Sequence, residues 1–252
     1  MSTPRFYLSA ERCSDVILQL DEREEHHALH VLRVKRGEPV VVLDGAGHEF
    51  LCEVADASRD AVTLHVTNKT FVSPLPCQIT LLQAVPKGKI IESIIQKAVE
   101  LGAQRIVPLL TDRVVTRLSE KDRTIKRDKW QLVAIEAIKQ CGAAWLPKIE
   151  TPMTPAQFLA QKEIFDLSLV GSLQTDRRHP RECFQEFKAQ HGHLPQSIGI
   201  WIGPEGDFEL DELKAIQAAG ALPISLGQLV LRVETAAIYS LSILNYELQS
   251  AL

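Results

Sequence analysis

IGIWIGPEG, residues Ile198 to Gly206, begins as a short apolar, β-branched run and breaks at Gly203-Pro204-Glu205-Gly206. Such a run predicts a buried strand. Beyond the break, Leu210, Leu213, Ile216 and Gln217 follow a helical pattern that ends at Gly220. The expected unit is therefore a strand, a glycine-bracketed turn and a helix N-terminus. In an open α/β sheet this unit exposes main-chain N–H groups at the carboxyl end of a strand, where ligands bind. The same unit also serves as a plain connector, so the role of the turn depends on what surrounds it.

The sequence around it alternates strands and helices. Ile79 to Val85 reads as a buried strand, and Gly88 to Leu101 as a helix carrying Ile91, Ile94, Ile95, Ala98 and Leu101, stopped at Gly102. Arg105 to Leu110 is a second strand, so the sheet is expected to be parallel, with right-handed crossovers. A helix over Trp130 to Cys141, a strand over Phe165 to Gly171, a polar helix over His179 to His193 and a short strand over Pro223 to Leu226 follow. Thr235 reads as the N-cap of a last helix bearing Ile238, Leu241, Leu244 and Leu248.

Upstream of residue 70 the pattern differs. Short strands over Val16–Leu20, Pro39–Leu43, Glu49–Val54 and Ala61–Val66, with one helix over Glu24–Arg33, predict a small barrel. Phe71 to Gln78 holds two prolines and reads as a linker. The expected domains are residues 1–72 and 73–252, an α/β domain behind a small β-rich one.

Composition narrows the function classes. At 252 residues, 45% hydrophobic and 24% charged, the chain can bury an ordinary globular core. A net charge of −4 argues against a non-specific grip on nucleic acid; an RNA target would need local positive charge. The five cysteines are scattered without a CxxC pair, which favours neither a disulfide framework nor a zinc site. No apolar run reaches membrane-spanning length and MSTPRFYLSAERC lacks a signal-peptide core, so a cytoplasmic protein with no membrane partner is expected. His27, His30 and Arg33 stand at i, i+3 and i+6; with no third ligand type nearby, a polar helix face touching a phosphate is favoured over a metal.

If the sheet is parallel, the strand ends at Val170-Gly171, Ile202-Gly203 and Leu226-Gly227 converge, and glycine lets a ligand approach the backbone closely. An adenine-containing ligand suits such a cleft, while GxGxxG and GxxxxGK[ST] are absent. Arg232 and Glu234 precede Thr235 and, in extended backbone, would point the same way. They read either as a pair that polarises a carbonyl and accepts a proton, or as an ion pair orienting the last helix. Glu205 reads either as a ligand contact or as a cap on the following helix. The basic run from Arg113 through Arg117 to Lys129 reads as an RNA-contacting patch or as a solvated helix face.

VLR in the first domain, then KAVELG, EAIKQCG, IGPEGDF and LGQLVLRVETAA, in that order, resemble the ribosomal RNA small subunit methyltransferase E family of SPOUT-class uridine-N3 methyltransferases. The resemblance implies a PUA-like β-barrel for RNA recognition, an α/β domain with a C-terminal trefoil knot, and a homodimer acting on small-subunit ribosomal RNA or the assembled subunit. It implies S-adenosylmethionine held by Val170, Gly171, Ile202, Gly203, Pro204, Glu205, Gly206, Leu226, Gly227, Leu231, Thr235 and Ala236. Arg232 and Glu234 become the catalytic residues, His27, Arg33, Arg113 and Arg117 RNA contacts, and no metal is required. The competing classes are a SPOUT-fold RNA-binding protein without turnover and a related tRNA methyltransferase. The chain departs from the family pattern at Asp207, where a second glycine is usual, at Gln228-Leu229 in place of Pro-Arg, and at Ala143 in place of an arginine. The expected role of Asp207 is a helix N-cap.

Overall fold

The computed structural model describes residues 3–58, 61–113, 118–174 and 176–249. The chain divides into two compact units: Met1–Pro74 with Ile135–Leu146, and Leu75–Ala134 with Pro147–Leu252.

The first unit is built on β1 (Arg5–Tyr7), β2 (Ile17–Gln19), β3 (Pro39–Leu43), β4 (His48–Ala57) and β5 (Val62–Phe71), in the spatial order β1-β3-β4-β5-β2. Only the β1–β3 pairing is parallel. Period-two burial along β4, with Phe50, Cys52 and Val54 inward and Leu51 and Glu53 outward, gives the sheet one apolar face. That face meets Phe6, Leu18, Val40, Val42 and Leu64 in one core. The β3–β4 turn is set by Asp44, whose Oδ1 accepts from the Ala46 and His48 backbone N–H groups at 2.7 and 2.9 Å. Gly47 in this turn has φ 95° and faces the Trp145 ring, 2.6 Å from where a Cβ would stand.

The helix predicted over Glu24–Arg33 is two structures in sequence. α1 (Glu22–His26) passes into a π-helical turn, His27–Leu32, closed by Arg33 in the left-handed region at φ 55°. The i→i+5 bonding of that turn removes the shared face that i, i+3 spacing implied for His27, His30 and Arg33. His27 is instead tied to a buried ion pair. Lys139 Nζ lies 2.8 Å from Glu24 Oε1 and 3.3 Å from His27 Nδ1. Burial pushes the Glu24 carboxyl up against the opposing pull of Lys139, and burial together with the Lys139 charge pushes His27 down. A neutral His27 ring accepting from Lys139 follows from that arrangement. Lys139→Met is expected to lower stability by about 3 kcal/mol, because it leaves the Glu24 carboxylate buried without a counter-charge. Urea unfolding of the two proteins checks this, and Glu24→Gln in the same chain is expected to recover part of the loss.

The second unit carries an all-parallel sheet of β6 (Gln78–Ala84), β7 (Arg105–Leu109), β8 (Lys148–Ile149), β9 (Leu167–Gly171), β10 (Ser197–Ile202) and β11 (Leu222–Ile224). Its order is β11-β9-β10-β6-β7-β8. The helices are α2 (Ile90–Glu100), α3 (Glu120–Cys141, whose last turns count with the first unit), α4 (Pro155–Leu159), α5 (Pro180–His191), α6 (Leu210–Ala218) and α7 (Val233–Gln249). β10 is interior to the sheet, and Ile198, Ile200, Trp201 and Ile202 are all buried, as an unbroken apolar run requires when both faces are covered. No helix among the described residues is long and apolar enough to cross a membrane.

The last helix begins earlier than Thr235. The Arg232 carbonyl accepts from Ala236 N–H at 2.8 Å, so Arg232 is the N-cap and Thr235 lies in the first turn. The cause is the buried stripe of α7, Val233, Ala237, Leu241 and Leu244, which starts at Val233 and draws the first turn into the core.

Candidate active site

β11, β9 and β10 are neighbours in the parallel sheet, so the chain leaves all three at the same edge. A cleft lies there, lined by Gly171, Ser172 and Leu173 after β9, by Ile202 to Glu205 and Asp207 after β10, and by Leu226, Gly227 and Leu229 to Leu231 after β11. Arg177, Val233 and Ala236 complete its walls. The convergence expected of the glycine-ended strands is therefore present. Only the third differs in detail, because β11 stops at Ile224 and leaves Ser225 to Gly227 in the loop.

The turn at the centre of the cleft is fastened to three other loops by charged side chains. Glu205 Oε1 accepts from Lys87 N–H, after β6, at 3.4 Å. Arg113, after β7, donates to the Gly206 carbonyl and pairs with Glu209 at 2.7 Å. Asp207 Oδ2 accepts from Leu173 N–H, after β9, at 3.2 Å. These contacts correct two expectations, those for Glu205 and Asp207, and show what Arg113 touches within the chain. α6 starts at Leu210 rather than at the turn, so Glu205 does not cap it; the Glu209 N–H is met instead by Glu212 at 3.1 Å. Asp207 is not an N-cap either. It sits in left-handed backbone at φ 65°, a conformation that favours glycine, which accounts for the glycine usual there in the family pattern. Arg113, expected among the RNA contacts, has its guanidinium engaged on the turn, and that pairing holds the Glu209 carboxyl below its ordinary range. Its companion Arg117 lies outside the described residues.

Of the residues expected to hold a cofactor, Gly171, Ile202, Gly203, Pro204, Glu205, Leu226, Gly227, Leu231 and Ala236 line the cleft. Val170 is fully buried in the core, and Gly206 and Thr235 are not among the lining residues. Ser172, Leu173 and Arg177 were missed because they follow a recognised strand end without a motif of their own, whereas Asp207, Leu229, Val230 and Val233 fall inside the quoted IGPEGDF and LGQLVLRVETAA stretches but were not singled out as cofactor contacts.

Arg232 is exposed and Glu234 half-buried, on either side of the cleft residue Val233. With Glu234 helical, the alternation that would aim both side chains together does not apply. Among the described residues neither side chain makes an ion pair, which removes the alternative of a salt bridge orienting the last helix.

The fit to a nucleoside-like cofactor rests on the walls. A Cβ on Gly171 would stand 3.3 Å from Leu226 Cδ1, and one on Gly203 would stand 3.1 Å from Phe208 N, so a side chain fits tightly at both positions, and at Gly203 the close neighbour is main chain. Apolar Ile202, Leu226 and Leu231 suit a base, and Arg177 and Glu205 supply charge for a polar tail. The cleft encloses about 70 Å³, so a cofactor would lie largely in its open side. A larger cavity of about 680 Å³ surrounds the amino end of β9, lined by Phe158, Phe165, Phe187 and Trp201. It lacks the converging strand ends, and ligands in open α/β sheets bind at the carboxyl side.

The model of an RNA methyltransferase domain matches residues 73–245, and that of an RNA methyltransferase PUA domain matches residues 20–67. Ribosomal RNA small subunit methyltransferase E of Synechocystis is 31% identical over 98% of this chain and 78% of its own. That of Bacillus subtilis is 30% identical over 89% and 88%. The chain belongs to the ribosomal RNA small subunit methyltransferase E family. A Legionella pneumophila methyltransferase solved in complex with the bound cofactor SAM superposes with a TM-score of 0.86 at 30% identity, covering 100% of this chain and 98% of that one. The PUA match, residues 20–67, falls within the first compact unit, and the methyltransferase match spans the three strands whose ends line the cleft.

Proposed function

We propose that this member of the methyltransferase E family uses S-adenosylmethionine to methylate N3 of a uridine in small-subunit ribosomal RNA. The observation that carries the reading is the cleft formed where the chain leaves three adjacent parallel strands at one edge of the sheet, in a chain of this family. The cofactor would supply an already activated methyl group, so the protein's task is orientation and removal of a proton. Gly171, Gly203 and Gly227 let the backbone approach the ligand, and Ile202, Leu226 and Leu231 cover its apolar part. Glu234 accepts the N3 proton, and Arg232 stabilises the negative charge developing on the flanking carbonyl oxygens.

The trefoil knot belongs to this reading, since the resemblance supports it and the loops after β9, β10 and β11 meet at one place. So does a cytoplasmic homodimer. Leu229 and Val230 are 79% and 74% exposed, a large apolar surface to leave in water, and a second copy would cover it. In the N-terminal unit, Arg33 is exposed in left-handed backbone, a strained position of the kind found at ligand contacts, and is proposed to meet RNA; His27, held on Lys139, is proposed as an RNA contact only at its outward ring edge. The uridine must be unpaired or flipped out to expose N3.

Mass-spectrometric mapping of ribosomal RNA nucleosides from cells with and without the gene tests the function. One 3-methyluridine in the small subunit is expected to disappear on deletion and to return with the wild-type gene. An unchanged methyluridine inventory overturns the assignment.

A further inference from the structure

Asp207 makes contacts that a residue spacing two glycines from a helix has no need to make. Its backbone is left-handed at φ 65°, a conformation that costs an ordinary L residue about 1–2 kcal/mol and is tolerated best by Gly, Asn and Asp. The side chain is stretched between two loops. Oδ1 accepts from its neighbour Phe208 N–H at 2.8 Å, and Oδ2 accepts from Leu173 N–H at 3.2 Å. Leu173 and Asp207 both line the cleft, on walls supplied by β9 and β10. The carboxylate occupies the space beneath Gly203, where an added Cβ would stand 3.2 Å from Oδ1. The Asp207 N–H closes the turn onto the Pro204 carbonyl at 2.9 Å.

We infer that Asp207 is a positioning residue for the cofactor: its carboxylate latches the loop after β9 to the turn after β10 and so presets the spacing of two cleft walls. This rests on the reading of the cleft as the S-adenosylmethionine site. Preorganisation of this kind appears as affinity, because loops already held need no ordering when the ligand arrives. Hydrogen bonds from backbone N–H groups to an ionised carboxylate are about twice as strong as neutral ones, so losing two of them is a measurable loss.

Asp207→Gly keeps the left-handed backbone comfortable and removes both bonds; Asp207→Asn keeps one acceptor oxygen. Titration calorimetry with S-adenosylmethionine is expected to show affinity weakened about tenfold in the glycine variant and by an intermediate factor in the asparagine variant. In steady state the KM for S-adenosylmethionine is expected to rise while kcat at saturation stays within about twofold. Without cofactor, amide exchange at Leu173 is expected to quicken in the glycine variant, since that N–H loses its acceptor. Wild-type affinity and wild-type Leu173 exchange in the glycine variant overturn the inference. A fall in kcat together with a large loss of melting temperature also overturns it, by assigning Asp207 to folding alone. If the wild-type protein itself binds no S-adenosylmethionine, the cofactor reading fails and the latch falls with it. That outcome is distinct from a wild type that binds and a variant that binds equally well.

Discussion

Gly203→Val is expected to weaken S-adenosylmethionine binding by about 100-fold or more, which corresponds to about 2.8 kcal/mol. The argument is steric and local. Even the first carbon of a side chain at position 203 would lie 3.1 Å from Phe208 N and 3.2 Å from Asp207 Oδ1, tighter than ordinary contact. Two further methyl groups add bulk at this already crowded position, which lines the cleft beside the Asp207 carboxylate. Valine therefore either fills the ligand's space or pushes the latch away from the β9 loop. Overpacking of this sort costs about 1–3 kcal/mol, so melting temperature is to be measured beside the calorimetry. Gly203→Ala, which adds one carbon, is expected to fall between. Unchanged affinity in a folded valine variant would move the cofactor site away from the turn.

The effect depends on a turn whose place, but not whose fastening, was legible in the sequence. Apolar runs ending on glycine located β9 and β10 and the parallel sheet, because a strand buried on both faces leaves a continuous apolar signature. The contacts that hold the turn come from Glu205, Asp207 and Arg113, and nothing in their spacing joins them: Lys87 and Glu205 are 118 residues apart, and Arg113 and Glu209 are 96 apart. Charged residues in a polar stretch read the same whether they meet solvent or a distant main-chain group. Short elements were missed for the opposite reason. β1 and β8 have three and two residues, too few to show a period, whereas α4 carried a capping signal in Thr154-Pro155 and Gln157 that could have been used. The π-helical turn at His27–Leu32 has an ordinary helical sequence, and nothing in its residue types marks the irregularity.

The start of α7 shows how one boundary alters a mechanism. Treating Thr235 as the cap placed Arg232 and Glu234 in extended backbone and aimed both side chains at one point. With Val233 buried as the first helical residue, the two take separate positions, Arg232 at the N-cap and Glu234 in the first turn. The proposed division of labour therefore does not rest on a pairing of the two, and among the described residues each can be removed without stranding the other in an ion pair.

Glu234→Gln tests that division. The uracil N3 proton must leave for a methyl group to take its place, and a carboxylate within reach can accept it where an amide cannot. A positioned general base contributes about 10²–10⁴ in rate, so single-turnover methylation of ribosomal RNA is expected to slow by about 100-fold or more. Cofactor affinity is expected to stay at the wild-type value, because the Glu234 side chain does not line the cleft. Stability is expected to change by less than about 0.5 kcal/mol, since among the described residues the carboxylate has no ion-pair partner to lose. Arg232→Ala is expected to slow the reaction without abolishing it, as removal of one stabilising donor costs about 10²–10³ at most. The base assignment fails if Glu234→Gln turns over at the wild-type rate. A slow variant that also loses cofactor affinity would instead place Glu234 in the binding of the ligand, and only intact affinity with a collapsed rate assigns it the proton.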